Sequence, residues 1–130
     1  MSFQTINGHA SAAQPYAPGI IARGDLIFVS GQIPMRDGRI VDESIEAQTE
    51  VVFENIESIL RHAGASLSDV VRCGVYVADL SDLPRVNAAY ARAFGDQLPT
   101  RTTVGVQLPG YGVEIDCIAV IPSSESGRPA

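Results

Sequence analysis

Few residues in this sequence could carry out chemistry, and most of them fall between Pro99 and Ile121, in the stretch PTRTTVGVQLPGYGVEIDCIAVI. Both ends of the stretch read as β-strand. Before the Leu108-Pro109-Gly110 turn, Arg101 and Thr103 share one parity; after it, Glu114 and Asp116 begin a face that continues into Ile118 and Val120. If the two strands border one cleft, Arg101 and a carboxylate reach the same small space. A guanidinium grips a carboxylate through two parallel hydrogen bonds, and a carboxylate can orient and deprotonate a water. That pairing suits the binding and hydrolysis of a small organic acid. Each residue also has a plainer reading: Arg101 as half of a surface ion pair, Glu114 as a solvated strand residue. Further back, Ser30-Gly31 either ends a strand or offers a hydroxyl and an amide to a small acid. Tyr16 either packs against Pro15 and Pro18 or roofs a ligand. Thr103 has no adjacent base and is not read as a nucleophile. Gly105, Gly110 and Gly112 lack the GxGxxG spacing and strand-to-helix context of a dinucleotide site.

The surrounding elements must position these groups. Phe3 to Ile6 reads as a short strand, followed by a weakly specified loop through His9. Ile20 to Ala22 and Leu26 to Ser30 read as further strands, the second as the most clearly buried of the first half. Asp37-Gly38 reads as a tight hairpin turn before Arg39 to Val41, so the opening is expected to be a small antiparallel meander. A first helix is expected over Ile45 to Ala63, capped by Ser44 and stopped by Gly64, with Val52, Phe53, Ile56, Ile59, Leu60 and Ala63 as its apolar stripe. Val70 to Ala78 reads as a strand. A second helix, capped by Ser81 with Pro84 in its first turn, carries Leu83, Val86, Tyr90 and Phe94 at helical spacing and ends at Gly95. Asn87 lies on that stripe, where a polar side chain must find partners. The order predicts an α+β layer with two helices on one face of a mixed sheet. The other face keeps Ile118, Val120 and residues of the Leu26 to Ser30 strand, and calls for other copies of the chain to cover it.

Composition narrows the function classes. The chain has 130 residues and a hydrophobic fraction of 45%, which suits a single domain, 1–130, with a loose Ser-, Gly- and Pro-rich tail at 122–130. A formal charge of -6 makes neither nucleic acid nor an anionic membrane an expected partner, so an anionic substrate needs a local cation. Cys73 and Cys117 lie in predicted strands without CxxC spacing and read as buried hydrophobes. His9 and His62 form no ligand pattern with them, so no metal site is expected. No apolar run reaches spanning length and no secretion signal opens the chain, which makes the cytoplasm the expected address.

The segments PYAPGI, GDLIFVSGQIP, AQTEVVFENIESILRHAGASLSDVV, YVADLSDLPRVNAAYARAFG, PTRTTVGV and VEIDCIAV together resemble the RidA family, also called the YjgF family, over nearly the whole chain. The resemblance implies a chorismate-mutase-like α+β fold, a homotrimer whose sheets form an inner barrel, and sites between neighbouring subunits. It implies hydrolytic deamination of reactive enamines and imines, such as 2-aminoacrylate and 2-iminopropanoate, to 2-oxo acids and ammonia. By motif position, Arg101 corresponds to the carboxylate-binding arginine and Glu114 to the water-orienting carboxylate. Tyr16, Ser30, Gly31 and Asn87 match other substrate-binding residues. Thr103 stands where the family usually has cysteine, a mild change because its backbone carbonyl can still contact substrate. Ala17-Pro18 replaces a frequent Ser-Gln pair, as in branches tied to pyrimidine or aminomuconate breakdown. The implied mechanism requires no cofactor and no metal. Two alternatives stay open: a larger catabolic enamine as substrate, and a non-catalytic carboxylate-binding or scaffold role for the same cleft.

Overall fold

The structure, a computed structural model, describes residues 3–7 and 14–122. The expected loop around His9 and the tail beyond Pro122 lie outside the described residues. Strand β1 (Phe3–Ile6) pairs antiparallel with β2 (Gly19–Ala22) as a separate ribbon. Strand β3 (Leu26–Gln32) then leaves it, and β4 (Met35–Arg36) and β5 (Arg39–Ile40) form a hairpin of their own. The hairpin turns at Asp37 and Gly38, with φ of 55° and 78°, the left-handed conformation that a tight two-residue turn needs. The expected continuous meander is therefore corrected. Val29 of β3 is drawn under the helices, so β3 takes the last strand as its partner instead of its sequence neighbours.

The main sheet has the order β3-β8-β6-β7, built with β6 (Val70–Val77), β7 (Thr100–Gly105) and β8 (Val113–Val120). β6 and β7 run parallel, and the other pairs are antiparallel. Parallel neighbours need a crossover, and α2 (Leu83–Phe94) supplies it; α1 (Ile45–His62) lies beside α2. The Ser44 hydroxyl accepts the Ala47 amide at 3.1 Å and caps α1, and Gly64 ends it at φ 76°. Ser81 does not cap α2. It lies in a 3₁₀ turn, Leu80–Asp82, where its amide donates to Asp79 at 2.9 Å, and α2 starts after Asp82. Ile59 faces outward at 38% exposure, because α1 buries a narrower stripe through Val52, Ile56 and Leu60.

Both helices cover the same face of the sheet. Cys73, Val75 and Val77 of β6 stand in register with Cys117, Ile115 and Val113 of β8, and all six are buried beneath α1 and α2. A fully buried aliphatic side chain contributes about 1.5–3 kcal/mol, so this layer holds the sheet to the helices. Cys73 and Cys117 are free thiols in this layer, and burial pushes each up to about 12. On the opposite face Phe28 is 70% exposed and Leu26 49%. Leu26 to Ser30 is thus not the buried strand that its composition suggests: within one chain only Val29 of that segment is buried. Two helices cannot cover both faces of a four-stranded sheet.

Candidate active site

Strand β7 presents Arg101 to the helix-covered side, since Arg101 is in parallel register with the buried Cys73. The guanidinium lies over the Tyr90 ring, with Cζ 4.7 Å from its centroid. Nε donates to the Thr103 hydroxyl at 2.6 Å, and Nη2 donates to the Asn87 carbonyl oxygen, also at 2.6 Å. Nη1 is buried and, among the described residues, has no hydrogen-bond partner. Burial lowers the pKa of Arg101, opposed by smaller influences of Tyr90, Cys73 and Tyr16, and an arginine remains charged under such a shift. The Tyr16 segment is pinned beside the start of β7 by the Ala17 amide, which donates to the Pro99 carbonyl at 3.0 Å. Asn87, Thr103 and Tyr16 thus gather around Arg101. Asn87 finds the partner that its place on an apolar stripe demands.

Glu114 stands elsewhere. Its neighbours in β8, Val113 and Ile115, are buried under the helices, so Glu114 points to the open face, opposite Tyr76 of β6. The Tyr111 hydroxyl donates to its Oε1 at 3.1 Å. The β3–β8 register shifts between Val29 and Gln32, leaving Ser30 and Gly31 in a bulge alongside Glu114. A Cβ on Gly31 would lie 2.0 Å from Glu114 Oε2, so glycine is what lets the carboxylate lie against the bulge. The loop carrying Tyr111 is held by the Gly112 amide, which donates to Gln48 of α1 at 2.9 Å.

A cleft bordered by β7 and β8 within one chain is therefore not formed. Strand β6 separates them, and Arg101 and Glu114 lie on opposite faces. One group, Arg101 with Asn87, Thr103 and Tyr16, belongs to the helix-covered side; the other, Glu114 with Gly31 and Ser30, belongs to the open side. Asp116 shares the face of Glu114 but is tied into the sheet. Its Oδ1 accepts the Gly74 amide at 3.0 Å, its Oδ2 accepts the Tyr76 hydroxyl at 2.9 Å, and Arg72 lies 3.7 Å away. Two residues escaped the sequence reading. Tyr90 was legible only as core, although its spacing of three from Asn87 places both on one helix face; Tyr111 sits in an aperiodic loop that carries no signal. Among the described residues no group of three or more His, Cys, Asp or Glu side chains could hold a metal ion, and no helix is long and apolar enough to cross a membrane.

The fold and these two clusters define an α+β protein with a held arginine on one side of its sheet and a glycine-backed carboxylate on the other. Residues 7–121 match the family model described as Endoribonuclease L-PSP, and the chain belongs to that family, the RidA/YjgF family. It is 45% identical over 109 residues to a RutC family protein of Pyrococcus abyssi, covering 81% of this chain and 85% of that one. With the chloroplastic Reactive Intermediate Deaminase A of Arabidopsis thaliana it shares 40% identity over 115 residues, 85% of this chain and 61% of the other. The crystal structure of TdcF from E. coli, solved with bound serine, superposes with a TM-score of 0.69 at 34% identity, covering 84% of this chain and 90% of that one.

Proposed function

We propose that the protein hydrolyses small carboxylate-bearing imines and enamines, such as 2-iminopropanoate and its tautomer 2-aminoacrylate, to 2-oxo acids and ammonia, at sites formed between the copies of a homotrimer. The observation that carries this reading is the division of the chemistry: a charged arginine fixed on one face, and on the other a carboxylate with room made for it by Gly31. Neither half suffices alone. Phe28 and Leu26, exposed on the same face as the second half, are what a neighbouring copy would cover, bringing its own Arg101 toward Glu114. In that setting Arg101 holds the substrate carboxylate, with the Gly31 amide and Ser30 of the adjoining copy against its other end. Glu114 orients a water toward the imine carbon. The water oxygen bonds to that carbon as Glu114 takes one of the water's protons, and the C=N π pair moves to nitrogen, which takes up that proton from Glu114. Glu114 then carries the hydroxyl proton of the carbinolamine to the nitrogen, and the C–N bond breaks to release ammonia as the C=O bond forms.

The deaminase relative and the serine-bound neighbour support a small amino-acid-derived ligand. Ribonuclease action, to which the family description refers, fits less well, because the chain carries a formal charge of -6 and its candidate cation sits among packed side chains. A non-catalytic carboxylate binder would need Arg101 but no acid set against the second half. The test generates imines in situ with a PLP-dependent dehydratase or an amino-acid oxidase and traps them with semicarbazide. The purified protein should suppress trapping; unaltered trapping across small and larger imino acids, 2-aminomuconate-sized ones included, would leave only a binding role.

A further inference from the structure

The contacts of Arg101 decide which of its edges a ligand can use. A guanidinium offers one N–H on Nε and two on each terminal nitrogen, and a carboxylate can take it in two ways: side-on, across Nε and Nη2, or end-on, across Nη1 and Nη2. Here Nε–H is taken by the Thr103 hydroxyl at 2.6 Å and one Nη2–H by Asn87 at 2.6 Å, while the Tyr90 ring closes one face of the plane at 4.7 Å. With Nε–H taken by Thr103 the side-on pair is not open to a ligand, and among the described residues Nη1 is left buried without a partner. Resting on the reading of Arg101 as the carboxylate clamp, we propose that Thr103 is a positioning residue: by occupying Nε–H it directs Arg101 to bind the substrate carboxylate end-on, through Nη1 and Nη2.

The energetic logic is local. A buried donor with no acceptor is costly, and a carboxylate arriving at Nη1 turns that cost into a charge-assisted hydrogen bond. Since Nη1 is shielded in the single chain, the ligand gains it only by displacing a neighbouring group. Without the Thr103 hydroxyl, Nε–H would lose its acceptor and the guanidinium would be free to turn its side-on edge to the ligand or to a water. The Thr103 side chain thereby acts on the substrate through Arg101, a role distinct from the backbone contact expected from the sequence.

The test compares Thr103→Val, which keeps the β-branched shape, with Thr103→Ser, which keeps the hydroxyl. The Arg101 Nε–H signal in ¹⁵N-resolved NMR of the ligand-free protein should be shifted and slow to exchange in the parent and in Thr103→Ser, and should move toward the free-arginine position in Thr103→Val. Calorimetric affinity for 2-oxobutanoate should weaken about tenfold or more in Thr103→Val, as for the loss of a hydrogen bond to a charged group, with the loss falling on KM more than on kcat. Thr103→Ser should restore both. An unchanged Nε signal, or parental affinity in Thr103→Val, overturns the assignment. Arg101→Ala runs alongside: if it binds 2-oxobutanoate as the parent does, the clamp reading itself fails, whereas loss of binding there with none in Thr103→Val removes only the role of Thr103.

Discussion

Gly31, in the β3–β8 bulge, lies against the side chain of Glu114, and Glu114 Oε2 occupies the place where a side chain on residue 31 would begin. The carboxylate position depends on the absence of one methyl group. In Gly31→Ala the added carbon, 2.0 Å from Oε2, must push the end of a flexible side chain aside and not the backbone. Turnover should fall by roughly 10² or more, the scale of a displaced acid–base group, while the thermal midpoint moves by only a few degrees. Parental turnover in the trapping assay would show that the Glu114 position is irrelevant to the chemistry.

Arg101 and Glu114 should separate holding from reacting. Arg101→Ala should lose both 2-oxobutanoate affinity and imine hydrolysis, and Arg101→Lys should rescue poorly, because a point charge cannot reproduce the planar fork. Glu114→Gln keeps volume and should lower turnover by ~10² to 10⁴ while leaving affinity for the unreactive acid nearly unchanged. Calorimetry beside turnover, with circular dichroism as a folding control, reads the contrast. Near-normal hydrolysis by either Arg101→Ala or Glu114→Gln would refute the role given to that residue.

The helices, the hairpin turn and the faces of the last strand were legible because each rests on local pattern: Ser44 before an apolar stripe, Asp37-Gly38 between short strands, and alternation from Val113 onward. Asn87 was legible as a polar residue on an apolar stripe that needed a partner. The partner of β3 was not, since its pairing with β8 is set by which residues the helices cover, a long-range effect that composition does not carry. For the same reason the sequence suggested that Arg101 and Glu114 share a cleft. Parity assigns each residue to a face of its own strand, but the strand inserted between β7 and β8 decides how the two faces relate.

Phe28 gives access to the assembly. Its side chain is 70% exposed in the single chain and contributes little to that chain's own core, so Phe28→Asp should fold yet fail to associate. Light scattering should report about three times 13.8 kDa for the parent and a single chain for the variant, with hydrolysis lost in the variant. A parent that is a clean monomer at micromolar concentration would contradict both the trimer and the site between copies.

The sharpest test of a shared site mixes two inactive proteins. Arg101→Ala keeps its Glu114, and Glu114→Gln keeps its Arg101; co-expressed or reassembled in equal amounts, they should give, in the proposed trimer, some sites that draw each group from a different copy. If the two halves meet between copies, random mixing leaves about one quarter of the sites intact, since each intact half is present in about half the positions, and about a quarter of parental turnover should return. Recovery no greater than the average of the two separate variants would contradict the account and place the chemistry within a single chain.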